Sequence, residues 1–158
     1  MDTEKSIKLV NLVNEKNICL ELKGRNKKAL LEELVDFMAK SSGKIRDKKS
    51  FLTVLLKREK LGSTGIGGGV AIPHAKSPKV KNFLLVLARH TSGVDFGALD
   101  GEKTYLFFVL ISPENNVGGH LKILAEISRL VKDKFIVDLL KKAEDKKEIL
   151  RVISAYEQ

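Results

Sequence analysis

One cysteine, Cys19, stands among 158 residues, so no internal disulfide can form. It has no partner cysteine and no metal-ligand spacing around it, and reads as a small buried side chain in a reducing compartment. There is no His-x-x-x-His pair and no Cys-His cluster, so no metal site is suggested. Three prolines and no long Ser/Gly linker argue against a second domain, and one domain over residues 1–158 is expected. Internal repeats and low-complexity segments are absent too. No apolar run approaches the roughly 20 residues that a membrane-spanning helix needs. The stretch "MDTEKSIKLVNLVNEKN", residues 1–17, carries acids and lacks an apolar signal core. No secretion signal is expected, and the cytoplasm is the default location.

Aromatic residues make up only 6% of the chain, and neither a clustered basic helix nor an aromatic stacking platform is present. That bears on the net charge of +9. The lysines alternate with acids, as in "KKAEDKKE", residues 141–148, which is the pattern of a solvated surface. Nucleic-acid binding through that charge is the weaker reading; an acidic partner or an anionic substrate remains open.

Glycine and histidine carry the signal that is there. The stretch "GSTGIGGGVAIPHAK", Gly62–Lys76, gathers glycines ahead of a short apolar run and Pro-His. Ordering glycine is costly, so a cluster implies special backbone angles or close approach to the backbone. A dinucleotide fingerprint would begin at Gly65 and Gly67 but meets Val70 where glycine is required. A P-loop with Gly62 and Gly67 meets Gly68 where lysine is required. Nucleotide binding by either route is therefore not expected. What remains is His74, at the end of a short strand "VAIPH". A neutral imidazole can act as a covalent nucleophile near neutral pH. A phosphoryl group on it would need fixed donors such as backbone N–H groups, a helix N-terminus or an arginine.

The elements around this stretch read as an α/β (α+β) domain of three layers, a mixed sheet flanked by helices. "NICLEL" reads as a first strand. "NKKALLEELVDFMAKS" is a helix with Leu30, Leu34, Phe37 and Met38 at helical spacing, ended by Gly43. "DKKSFLTVLLKREK" is a second helix, with Asp47 as N-cap and Phe51, Val54, Leu55 and Arg58 along one side. "FLLVLARH" and "KTYLFFVLI" are near-continuous apolar runs, as strands covered on both faces would be. "SPENNVGG" reads as a loop. It leads to the helix "HLKILAEISRLVKD", with Leu121, Leu124, Ile127 and Val131 on one stripe. Two closing helices follow in "DKFIVDLLKKA" and "KKEILRVISAYE".

Arg58 ends the helix that runs into the glycine segment, which places a cation near His74. His120 follows Gly118 and Gly119 and opens a helix. A cationic ring is disfavoured at a helix N-terminus, so His120 suits a neutral N–H donor. His90, at the end of a strand before a turn, is read as a surface residue.

"REKLGSTGIGGGVAIPHAK" together with "SPENNVGGHLKILAEIS" resembles the enzyme IIA domains of the fructose/mannitol/nitrogen type, from the bacterial phosphoenolpyruvate-dependent sugar phosphotransferase system. The resemblance runs from about Ile18 to Ile153 and is strongest in "STGIG…AIPH". It implies a mixed sheet flanked by helices. It also implies that His74 is the phosphorylated histidine, with Arg58 and His120 as its active-site neighbours. Such domains accept a phosphoryl group from the histidine-containing phosphocarrier protein. They pass it to an enzyme IIB, which serves sugar uptake, here read as fructose-type, through a membrane enzyme IIC. No cofactor, metal or nucleic acid is implied, and no insertion of this chain into the membrane. A regulatory role in the nitrogen-related branch is the alternative.

On this reading Ser63 and Thr64 cap or position the loop. Backbone N–H groups from Gly67 to Gly69 donate to the phosphoryl group, and the apolar surface at Ile66 and Val70 serves docking. Gly68 and Gly97 depart from many members, and Gly68 is expected to loosen the loop.

Overall fold

The computed structural model describes residues 7–43 and 47–158. Residues 1–6, part of the segment read as lacking a signal, lie outside them. Six strands form one mixed sheet. Strand β1 (Ile18–Cys19) pairs parallel with β5 (Leu84–Val94), and β5 pairs antiparallel with β6 (Thr104–Pro113). Strand β6 then carries two short parallel partners along its length, β3 (Val70–Ala71) and β4 (His74–Ser77). Strand β2 (Gly65–Gly67) folds back against β3 as a hairpin at the sheet edge.

The two long strands carry unbroken apolar stretches, Leu84–Ala88 in β5 and Tyr105–Ile111 in β6, because both faces of the sheet are covered there. Along β6, Leu106, Phe108 and Leu110 enter one core and Phe107, Val109 and Ile111 the other. This is the period-two alternation of a strand, with an apolar residue at every step. Helices α1 (Lys27–Ser42) and α2 (Lys48–Lys60) cover the second face through Leu30, Leu34, Met38, Phe51 and Leu55. Helices α3 (Val117–Val131), α4 (Lys134–Lys142) and α5 (Lys146–Tyr156) cover the first through Ile123, Ile127, Leu130, Leu140 and Ile153. Each such side chain contributes about 1.5–3 kcal/mol on burial. The expected three-layer α/β architecture is therefore present. Gly43 ends α1 at φ +64, and the Asp47 carboxylate caps α2 by accepting from the Ser50 amide at 3.0 Å.

Several local expectations are corrected. The first strand shrinks to Ile18–Cys19, and Cys19 is only half-buried. "VAIPH" is two strands broken at Ile72-Pro73, so His74 begins a strand instead of ending one. Strand β5 runs past His90 to Val94, and His90 is buried, its Nε2 lying 3.0 Å from the Gly24 carbonyl oxygen. The α3 stripe is also shifted. Its buried residues are His120, Ile123, Glu126, Ile127 and Leu130, while Leu121 is exposed. Helix α3 starts at Val117, three residues before His120, because the Asn116 side chain accepts from the Gly119 amide at 3.0 Å. Gly118 and Gly119 are thus helical. A Cβ at Gly119 would lie 2.4 Å from the Phe83 ring, so only glycine lets α3 approach the chain ahead of β5 this closely.

Candidate active site

Three elements converge on one cleft: the C-terminal end of α2, the start of β4 and the first turn of α3. Strand β4 pairs with the interior strand β6, with His74 in register with Leu110, so the histidine backbone is fixed by the sheet. On α2, Phe51, Leu55 and Glu59 form the buried stripe at four-residue spacing. Arg58 is next to that stripe, half-buried at the rim, and not within it. Its Nη1 donates to the Gly62 carbonyl at 2.8 Å, which closes off the helix end. Its Nε–H donates to His74 Nε2 at 3.3 Å.

The other ring nitrogen decides the state of His74. Nδ1 is 2.6 Å from the Ile72 carbonyl oxygen, which can only accept, so Nδ1 holds the hydrogen. Nε2 is then a lone-pair acceptor facing the cleft. Burial holds the His74 pKa below its ordinary 6.5, with Arg58 and Lys76 adding to that against the opposing carbonyl of Ile72. The His120 ring stands 5.6 Å from that of His74, tilted by 53°. Burial, then His74, then Lys76 lower the His120 pKa to about 4. Both rings are neutral at pH 7. His120 Nδ1 is 2.6 Å from the hydroxyl of Ser112 on β6.

The cleft is open and measures about 530 Å³. Lys57, Arg58 and Lys76 line it, with Glu114 the one acid. Leu61 (82% exposed) and Leu121 (59% exposed) form an apolar rim. It is a wide, shallow surface with cations around a nucleophilic nitrogen. That suits a group carried in by another macromolecule better than a small molecule enclosed on all sides.

His74, Arg58 and His120 are thus brought together. Ser63 and Thr64 lie behind them and build the loop. The Ser63 hydroxyl donates to the Phe96 carbonyl at 3.2 Å and accepts from the Gly65 amide at 3.0 Å. The Thr64 amide and hydroxyl both donate to Glu59, whose carboxylate also pairs with Lys27 at 2.8 Å. Glu59 is buried, one residue from Arg58, and ties the end of α2 to the loop. It was not singled out in the sequence; its place four residues after Leu55 in the stripe was the available signal. Gly67 and Gly69 do not line the cleft. With Gly68 they form the β2–β3 turn at φ +96, +65 and +82. The Gly68 amide already donates to the Asp100 carboxylate at 3.0 Å. Gly68 therefore relieves a left-handed backbone and does not loosen a phosphate loop. Val70 is buried in the core, and Ile66 is exposed on the hairpin, outside the cleft lining. Among the described residues no group of His, Cys, Asp and Glu could hold a metal ion. No helix there is long and apolar enough to cross a membrane.

The chain is 38% identical over 146 residues to a nitrogen regulatory protein of Bradyrhizobium diazoefficiens, covering 92% of this chain and 94% of that one. It is 32% identical over 152 residues to the fructose-specific EIIABC component of Bacillus subtilis, covering 96% of this chain but 24% of that much longer protein. The crystal structure of the nitrogen regulatory protein IIA-Ntr from Neisseria meningitidis superposes with a TM-score of 0.85 at 31% identity, over 92% of this chain and 98% of that one. Residues 11–156 match the family model described as phosphoenolpyruvate-dependent sugar phosphotransferase system, EIIA 2. The chain belongs to that family of phosphoryl-transfer components.

Proposed function

We propose that this protein is a phosphohistidine carrier with His74 Nε2 as its nucleophile. One observation supports this most directly: the Nδ1–H of His74 is committed to the Ile72 carbonyl, leaving the Nε2 lone pair in a cation-lined cleft. The donor is the histidine-containing phosphocarrier protein and the acceptor an enzyme IIB, ahead of a membrane enzyme IIC. The phosphorus–nitrogen bond of the donor's phosphohistidine breaks as the bond to His74 Nε2 forms, and the electron pair returns to the donor ring. Arg58 leaves the lone pair it now touches and turns its guanidinium to a non-bridging oxygen. Positioning and charge do the remaining work, because phosphoryl transfer needs little else from the protein. Glu59, Ser63 and Thr64 hold the loop and the end of α2 that present Arg58. The apolar rim at Leu61 and Leu121 gives a protein donor something to bury.

The acceptor branch has two readings. Sugar uptake of the fructose type agrees with the name of the Bacillus subtilis relative, which joins A, B and C units. A regulatory role agrees with the nitrogen regulatory relative, which matches this chain nearly end to end. Incubation with phosphoenolpyruvate, enzyme I and the phosphocarrier, followed by intact mass, tests the first step. One acid-labile phosphoryl group on the parent and none on His74→Ala is the expected result. No gain from an active donor system would overturn the proposal. Onward transfer to a fructose-type enzyme IIB then separates the two branches.

A further inference from the structure

Ser112 sits on β6 beside the site, at 0% exposure and closed to bulk solvent. Among the described residues, its hydroxyl has one hydrogen-bond partner, His120 Nδ1 at 2.6 Å. Two assignments of the shared hydrogen are available. If His120 Nδ1–H donates, the hydroxyl hydrogen of Ser112 is left buried with no acceptor, an arrangement folded proteins avoid. If the hydroxyl donates to Nδ1, the hydrogen bond is made and nothing is orphaned. Nδ1 is then a lone-pair acceptor and Nε2 carries the ring hydrogen. With Nδ1 turned to enclosed Ser112, Nε2 is the nitrogen that His120 leaves to the cleft.

We infer that Ser112 is a positioning residue, which sets the tautomer and orientation of His120 so that Nε2–H faces the phosphoryl position beside His74. The two rings then hold opposite roles by the same device. His74 gives its Nδ1–H to a carbonyl and shows a lone pair; His120 takes a hydroxyl hydrogen on Nδ1 and shows a donor. The lone pair attacks phosphorus, and the donor binds a non-bridging oxygen without giving up its proton. The second half of this inference rests on the carrier reading; the tautomer does not.

Long-range ¹H–¹⁵N spectra of the full, unphosphorylated chain at pH 7 test the tautomer. The expected result is a protonated Nε2 and an unprotonated Nδ1 on His120. A protonated Nδ1 overturns the inference and needs no variant to do so. In Ser112→Ala the single tautomer is expected to be lost, the His120 Nδ1 and Nε2 ¹⁵N shifts moving toward each other as the two tautomers exchange. Phosphoryl acceptance is expected to slow by about tenfold, the factor carried by one hydrogen bond. Ser112→Thr, which keeps a hydroxyl, is expected to restore both. An unchanged rate in Ser112→Ala overturns the positioning role. Failure of the unsubstituted protein to take a phosphoryl group from an active donor system overturns the carrier reading and this role together. The tautomer spectrum distinguishes that case from a failure of Ser112 alone.

Discussion

Two places in this molecule have the appearance of an anion site, and they differ in what already fills them. The β2–β3 turn has three successive glycines in the left-handed region, a backbone shape that often binds phosphate. Its Gly68 amide is occupied by the protein's own Asp100, and in the same hollow Asp100 and Glu102 balance Lys103 and Lys141. The cleft at His74 has no glycine in its lining. Its cations are Lys57, Arg58 and Lys76, and its one nucleophilic lone pair is held outward by a backbone carbonyl. Glycine content marks where the chain turns. Three cations against the single acid Glu114, around a neutral imidazole, are what set the cleft apart from the turn.

Substitutions that act on one place and spare the other test that contrast, and the largest effect belongs to the cleft. His74→Ala is expected to abolish phosphoryl acceptance, read by intact mass, with the fold retained by circular dichroism. Arg58→Ala is expected to slow acceptance by on the order of 10²–10³-fold, the range of a lost electrostatic clamp. Rapid-quench kinetics would measure it. A rate within a factor of a few of the parent would remove Arg58 from the mechanism. Gly68→Ala places a Cβ in open space at φ +65, so its whole cost is backbone strain. Denaturant unfolding should show a loss of about 1 kcal/mol, while phosphoryl acceptance stays at the parent rate. A variant that folds normally but accepts phosphate slowly would mean that the turn, and not only the cleft, takes part.

The last effect concerns acid. His74 and His120 both have pKa values lowered by burial, His120 to about 4. Unfolded, each would take up a proton near 6.5. The unfolded state therefore binds more protons between about pH 6.5 and 4, and stability falls as pH drops through that window. Above it, the two histidines leave stability level. Thermal melts across pH 4–8 should show this decline, and it should be shallower in His120→Gln, which cannot titrate there. An equal slope in both proteins would assign the acid sensitivity to other groups.

His74, Arg58 and His120 were all legible as candidates in the sequence. The two near-continuous apolar runs, Phe83–His90 and Lys103–Ile111, were legible as covered strands, because such hydrophobicity has few other uses in a chain without a membrane-length run. The α2 cap at Asp47 and the α1 stop at Gly43 were legible for the same local reason: a carboxylate next to free amides and a residue that tolerates positive φ. His90 was misread. Its neighbours in sequence look like a strand end, yet β5 continues through an irregular stretch to Val94, which pairs again with β6 at Thr104, and that is a long-range fact. Leu121 was misread within α3, since a helix turned by one residue exposes it and buries Glu126 instead.

Residue types and spacing determined the layered α/β class, most helix ends, and the candidacy of His74, Arg58 and His120. These depend on propensities and local hydrogen bonds, which act within a few residues. Tertiary structure alone decided which groups complete the site. Ile72 points its carbonyl at Nδ1 only because the chain breaks between β3 and β4. Ser112 meets His120 only because β6 passes beneath α3, and Glu59 meets Lys27 only because α1 packs on α2. Glu59 and Lys27 are 32 residues apart, and although Ile72 and Ser112 lie only two and eight residues from their histidines, it is the sheet and the helix packed on it that turn them toward the rings.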